Sequence, residues 1–328
     1  MSNIAKRDHW NEKLDINNYF PPFISIMITH RNRPGYAIKC VDSILENTDI
    51  PAEIVLHDDG SSREVQAMLF ESLNNKVSGM ILNFGRNTCL ATPVNRCAEM
   101  THSKYMFLLH EHVYMRSGFL GRIKEALDLP YVGLVSISQS PLGDGPNVMT
   151  LPSGTKIKIG NVNIVGDYFG FRRSVYEEVG GWDENVQFAN ADIGFTGNVF
   201  GRGYFSVVVE GDLFDERLSP KGPNDNIYVG SQMDGCNNAP PIFGMNPSLH
   251  QNGCARRDQE IWGSLNHDWA NDKFFPTWYN HHFLGREIDS LFPGFGKIDW
   301  EFAETYGHIK WKEQIERDFP GLINEKHR

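Results

Sequence analysis

Two stretches of the chain, Phe23 to Ser62 and Lys104 to Leu127, each carry a short apolar run that ends in polar residues and then gives way to helical spacing. Phe23 to Ile28 is rich in β-branched residues, as in a strand buried on both faces, and Ile38, Val41, Ile44 and Leu45 then recur every three or four positions. Repeated along a chain, strand followed by helix builds a mostly parallel sheet covered on both faces, with right-handed crossovers. Such a sheet places its ligand chemistry at the strand C-terminal ends, where His30-Arg31, Asp58-Asp59 and His110-Glu111-His112 fall.

The alternation continues. Ala52 to Leu56, Met80 to Leu82, Tyr105 to Leu109, Tyr131 to Ile137 and Tyr204 to Val209 read as strands. Helical patterns cover Val65 to Leu69, Thr92 to Met100, Leu120 to Leu127, Arg173 to Val179 and Asp192 to Phe200. Ser61 and Glu64 match a capping box, and Pro93 suits the first turn of its helix. Ser138 to Lys156 is rich in turn formers and reads as a mobile loop, a candidate lid. From about Phe214 periodicity fades, apart from Trp300 to Phe319, which has helix spacing. The expected organisation is an N-terminal extension over 1–21, an α/β domain over 22–215 and a C-terminal extension over 216–328.

With 328 residues, 40% of them hydrophobic, the chain can bury a large core. A net charge of -10 opposes nonspecific binding to nucleic acid or anionic lipid, leaving Lys156, Lys158, Arg172 and Arg173 as a local basic groove. The N-terminus lacks a signal-peptide core and no segment reaches about 18 uninterrupted apolar residues, so no membrane span is expected. Five scattered cysteines fit reduced thiols in a cytoplasm.

The ordered motifs resemble the GT-A glycosyltransferases of the large family 2 type. They are Asn32-Arg33-Pro34, Asp58-Asp59-Gly60-Ser61, Asn83-x-Gly85 with Asn95 and Ala98, Phe171-Arg172-Arg173-Ser174, Val179 to Glu184, and Asp192 followed by Gly203-Tyr204. The resemblance spans roughly residues 22 to 210 and implies a GT-A (Rossmann-like) domain. It implies transfer of a sugar from a nucleotide-diphosphate donor, a UDP-sugar by family default, to an acceptor hydroxyl. The extension beyond 215 is then an acceptor-side or assembly element; the acceptor and the oligomeric state stay open, and the acidic balance disfavours a nucleic-acid acceptor.

The resemblance assigns donor binding to Asp58, and His30, Arg31, Asp59, Arg86, Glu111 and Trp182 stand where they can join it. Asp-Gly is also good turn chemistry, Arg86 suits a solvated loop, and Trp182 suits a core. His110-Glu111-His112 stands where metal-dependent relatives carry Asp-x-Asp. As a strand it puts both imidazoles on one side, a pair that favours Mn, Fe, Co or Zn over Mg. Three readings stay open: a divalent metal on His110 and His112, metal-free catalysis by protonated imidazole, or a binding protein without activity. A third metal ligand is expected from the C-terminal region, with His282 the first candidate beside His250, His267 and His281. Asp192 takes the place of the family's general base, implying inversion, and it also fits a helix cap. The rival enzyme class, a nucleotidyltransferase, lacks its Gly-rich phosphate loop here.

Overall fold

The run after Phe23 forms β1 (Ile24–His30), buried along its whole length. Asn32, left-handed at φ 56, turns the chain, and Pro34 opens α1 (Pro34–Asn47), where a missing amide costs nothing. The unit repeats through β2 (Ala52–Asp59), α2 (Arg63–Leu73), β3 (Gly79–Asn83), α3 (Ala91–Met100) and β4 (Tyr105–His110). There follow β5 (Val113–Met115), α4 (Leu120–Leu127), β6 (Val132–Ser138), β7 (Val148–Thr150), β8 (Lys156–Gly160), β9 (Tyr168–Arg172) and α5 (Arg173–Val179). Then come α6 (Ala191–Gly201), β10 (Phe205–Glu210), β11 (Leu213–Asp215) and α7 (Lys312–Asp318). The computed structural model describes residues 23–85, 88, 90–160, 168–184, 191–215 and 311–320.

Among the described residues nine strands share one sheet in the order β3-β2-β1-β4-β9-β6-β10-β8-β7. Pairing is parallel through β3, β2, β1 and β4, and again between β6 and β10. β9 enters antiparallel between β4 and β6, and β8 and β7 extend the far edge antiparallel. The expected parallel arrangement holds for the first four strands, and the second half is mixed. β9 carries no turn signal at its end, because α5 begins at the very next residue, so its apolar run does not stand apart in the sequence.

Strand alternation divides the core. Ile24, Ile26, Ile28, Ile54, Leu56, Phe107 and Leu109 face α1, α2 and α4, packing on Val41, Ile44, Leu69, Leu120 and Ile123. Met27, Val55, Met106, Leu108, Phe169 and Phe171 face α3, α5 and α6, packing on Val94, Cys97, Val175, Phe195 and Val199. Among the described residues no helix is long and apolar enough to cross a membrane. Cys40 and Cys97 are buried free thiols inside this packing.

Three expectations change, and one further helix joins the core. The candidate lid contains the β7–β8 hairpin at the sheet edge, with Leu151, Ile157 and Ile159 in the core and Lys156 paired to Asp144 at 2.7 Å. The basic groove does not form: Arg172 donates to the carbonyls of Leu127, Leu129 and Pro130, and Arg173 to those of Ser103 and Ala98 and to the Thr101 hydroxyl. Both guanidiniums close helix C-termini, whose last carbonyls need donors. Ser62, not Ser61, caps α2, because the Ser61 hydroxyl is taken by Asp58. Finally, α7 places Ile315 and Phe319 in the first core cluster and Asp318 Oδ2 3.1 Å from the Tyr131 hydroxyl. This helix thus packs on the α/β core beside the N-terminal start of β6.

Candidate active site

The C-terminal ends of β1 and β2 lie side by side, His30 opposite Asp58. The backbone N–H of Arg33 donates to His30 Nε2 at 2.9 Å, so that nitrogen is the acceptor and the ring proton sits on Nδ1, 3.0 Å from Asp58 Oδ2. Asp58 Oδ1 also accepts from the Ser61 N–H (3.1 Å) and Gln66 Nε2 (2.9 Å), and Oδ2 from the Ser61 hydroxyl. Burial raises the Asp58 pKa, but these donors outweigh it and hold the carboxyl below the ordinary range. With four donors on two oxygens and no exposed surface, Asp58 ties the loops after β1 and β2 together. The Asn32 N–H, 2.7 Å from the Ser61 oxygen, adds another tie.

Asp59 does the same one strand further out. Its carboxylate accepts from Asn83 Nδ2 (3.0 Å), the Thr88 N–H (2.7 Å) and the Thr88 hydroxyl (2.8 Å), fixing the loop between β3 and α3. Both acidic residues thus shape the rim through protein hydrogen bonds rather than presenting open carboxylates. Thr88 carried no sequence signal, since one hydroxyl residue in a loop is unremarkable. Arg86 lies outside the described residues, as do His250, His267, His281 and His282. Arg31 and Arg33 flank Asn32 in the turn after β1, the latter buried with its guanidinium 5.5 Å over the Tyr36 ring.

The His-Glu-His segment departs from its expected geometry. β4 stops at His110, and Glu111-His112 form a turn before β5, so strand alternation does not continue through them. One ligand atom from each of His110, Glu111 and His112 lies within 4.8 Å of the others. Glu111 thereby joins the two imidazoles instead of pointing away. The two rings stand edge to face, 5.6 Å apart at 82°. Glu111 and His112 are fully buried. Burial raises the Glu111 pKa, yet His112, His30, His110 and Arg33 together hold the carboxyl below the ordinary range. Nearby, burial and the Glu111 charge push the Cys40 thiol well up, which keeps it a packing group.

β11 pairs antiparallel with β5, Asp215 opposite Val113, one residue past His112. Asp215, the last described residue of this segment, therefore lies beside this turn.

Asp192 lies in the first turn of α6, partly buried; the helix starts one residue earlier, so Asp192 is inside it rather than its cap. Further along, Val199 packs on Gly133, where an added methyl would come within 2.5 Å of Val199 Cγ1 at the N-terminal start of β6. Between them, Phe195 packs on Phe171 at 5.0 Å and Phe169 at 6.5 Å, residues that pair with Met106 and Leu108 of β4. Followed backwards from Val199, α6 climbs toward the strand C-terminal ends, and Asp192 lies about 4.5 Å above Phe195 at 1.5 Å per residue. Met106 and Leu108 share the Phe195 cluster, so alternation along β4 puts His110 on the same face. His110 and Asp192 share one end and one face of the sheet.

Trp182 does not offer its face to a sugar. It is 2% exposed and stacks on Phe195 (5.3 Å, 12°) and Phe169 (6.0 Å, 20°), which makes it the core residue of the two sequence readings.

Residues 25–180 match the family model of glycosyl transferase family 2. No curated protein matches the chain significantly. Among solved structures the chain is similar to GalNAc-T7 with UDP, GalNAc and Mn2+, at 16% identity and a TM-score of 0.51, covering 93% of this chain and 58% of that one. It is also similar to the mannosyltransferase PcManGT from Pyrobaculum calidifontis in complex with GDP-Man and Mn2+ (16% identity, TM-score 0.48, covering 88% of this chain and 93% of that one). TarS from S. aureus follows at 14% identity and a TM-score of 0.44, covering 90% of each chain. The strand-end site and the family match over 25–180 make this chain similar to the glycosyl transferases of family 2, on a GT-A fold.

Proposed function

We propose that the chain transfers a glycosyl group from a nucleotide-diphosphate sugar to an acceptor hydroxyl with inversion, Asp192 serving as general base and a divalent metal, Mn2+ preferred, held by His110, Glu111 and His112. The observation that carries this reading is the convergence of those three ligand atoms within 4.8 Å at the end of β4, where alternation puts His110 on the α6 side of the sheet.

The residues fit a metal. N and O donors sit about 2.0–2.2 Å from an ion, so small side-chain rotations bring this set onto one centre. Two imidazoles and one carboxylate suit Mn2+, Fe2+, Co2+ or Zn2+ better than Mg2+. The Glu111 carboxyl is held below its ordinary range, so it is ionised as a ligand must be. GalNAc-T7, whose fold this chain shares, is known with UDP and Mn2+. When bound, the ion supplies charge neutralisation for the departing diphosphate.

The remaining chemistry belongs to the chain. Arg31 and Arg33 add positive charge on the turn after β1, next to where a diphosphate meets the strand ends. The loops fixed by Asp58 and Asp59 form the nucleoside wall. Asp192, in the electropositive first turn of α6, is held ready to take the acceptor proton while the new C–O bond forms and the bond to the diphosphate oxygen breaks.

Nucleotide release from UDP-N-acetylgalactosamine and GDP-mannose, with Mn2+, Mg2+ or Zn2+ and without metal, tests the reading. Slow hydrolysis supported best by Mn2+ and lost in Asp192→Asn is expected. Binding without release under every metal would make the chain a sugar-nucleotide binding protein instead.

A further inference from the structure

Asn95, on the second turn of α3, makes more side-chain hydrogen bonds to a single turn than any helix-surface residue needs. Its Oδ1 accepts from the Trp182 N–H at 3.0 Å and the Tyr176 hydroxyl at 2.8 Å. Its Nδ2 donates to the Trp182 carbonyl at 2.9 Å and to Glu184 Oε1 at 3.0 Å. The amide therefore binds both backbone groups of one residue, much as a strand neighbour would. A planar amide, with a donor and an acceptor side by side, does this; a carboxylate keeps the acceptor and loses the donor.

The turn it grips is built to be gripped. Gly180 and Gly181 are left-handed at φ 85 and 77, and a side chain at Gly181 would lie 2.9 Å from the Tyr176 hydroxyl and 3.1 Å from Asn95 Oδ1. Trp182, fixed at both backbone groups, stacks on Phe195 of α6. Phe195 is three residues past Asp192, on the same helix. At its other end, α3 begins just after Thr88, which is bound to Asp59 at the strand ends.

We propose that Asn95 is a positioning residue for glycosyl transfer: through Trp182 and Phe195 it sets the height and tilt of the first turn of α6, and so the place of Asp192 relative to the donor-side loop anchored by Asp59. This rests on the reading of Asp192 as base. The path runs from the Asp59–Thr88 pair along α3 to Asn95, by hydrogen bonds to Trp182, by ring stacking to Phe195, and back along α6 to Asp192. A misplacement of about 1 Å in a reacting group can cost on the order of 100-fold in rate, so a small shift of this clamp is read in turnover before it is read in donor binding.

The test compares wild type, Asn95→Asp, and Asn95→Asp combined with Glu184→Gln, using UDP-N-acetylgalactosamine and GDP-mannose with Mn2+. Asn95→Asp turns the donor facing the Trp182 carbonyl and Glu184 into an acceptor, and places two carboxylates together. It is expected to lower kcat for nucleotide release roughly 10- to 100-fold while KM for the sugar nucleotide stays within about threefold. Adding Glu184→Gln restores a donor across that contact and is expected to recover a large part of kcat. Hydrogen exchange over residues 191–199 should rise in the single variant and fall back in the double one, while exchange over β1 stays unchanged. Wild type that releases nucleotide, with a single variant whose kcat and KM follow only its folded fraction, or with no recovery in the double variant, overturns the role of Asn95. Wild type that releases no nucleotide from either donor overturns the transferase reading and this role with it.

Discussion

Replacing Asp58 by Asn separates a scaffold role from a ligand role. The carboxylate is fully buried and accepts from His30 Nδ1, the Ser61 N–H, the Ser61 hydroxyl and Gln66 Nε2. An amide oxygen in the Oδ1 place can keep the Ser61 N–H and Gln66. The amide NH2 then faces the Ser61 hydroxyl, which can rotate to accept, and His30 Nδ1–H, which cannot. Moving the His30 proton to Nε2 only transfers the conflict to the Arg33 N–H, 2.9 Å away. Two charge-assisted bonds worth about 1.5–3 kcal/mol each are weakened or lost, and one buried donor is left facing another at about 1–3 kcal/mol. Some relaxation offsets this, and about 3–5 kcal/mol remains, the scale of breaking a buried polar network. Against a total stability of about 5–15 kcal/mol this is a severe loss. Urea unfolding of Asp58→Asn should show a lower midpoint with an unchanged slope. Nucleotide affinity, measured where both proteins remain folded, should fall less than about tenfold. A stability change below about 1 kcal/mol with nucleotide affinity reduced far more than that would show that the carboxylate serves the nucleotide, and the scaffold reasoning would be wrong.

His57, buried on the α3 face, has its pKa lowered by burial and by Arg96 against the opposing pull of Asp59 and Asp58. Its neutral form is favoured in the fold, so its contribution is complete above the unfolded value of 6.5 and is lost as pH falls below that through the folded value. Unfolding midpoints should decline from pH 7.5 to 5.5, and less steeply in His57→Gln; equal slopes would remove His57 from the acid response. Gly181→Ala meets both a left-handed φ of 77 and a 2.9 Å approach to the Tyr176 hydroxyl. It should destabilise by about 1–3 kcal/mol, and a neutral result in urea unfolding would mean the turn is looser than its hydrogen bonds indicate. Asp192→Asn should cut nucleotide release by about 100-fold or more at unchanged nucleotide affinity, and strong residual turnover would remove it as base.

The first four strands were readable because each apolar run is bounded by its own turn residues, and the first three lead directly into a helix of distinct period. In the mixed half β6 and β10 were readable too, but β7, β8 and β9 were not. β9 runs into α5 without a turn residue, and the β7–β8 hairpin is disguised by Ser, Gly, Pro and Asp around it. Helix spacing in Trp300 to Phe319 pointed to α7, but nothing local in the sequence says that Ile315 and Phe319 reach the core beside Tyr131. At the site, Asp58, Asp59 and His110-Glu111-His112 were found by their place after strands, whereas their orientations depended on partners far away in sequence. Glu111 was read as a donor-binding residue, and only the turn at Glu111-His112 brings it beside the two imidazoles. The Trp182 ring was ambiguous until Phe195 and Phe169 stood on it. Asn95 was visible as part of a motif, but its double grip on Trp182 is a tertiary fact.

Pulsed electron paramagnetic resonance of the chain with Mn2+ and UDP tests the metal site at its ligands. Nitrogen couplings from two imidazoles, reduced to one in His112→Ala and weakened in overall Mn2+ affinity by Glu111→Gln, are the expected result. A Mn2+ spectrum carrying only water and phosphate ligands, indifferent to His110, Glu111 and His112, would contradict it.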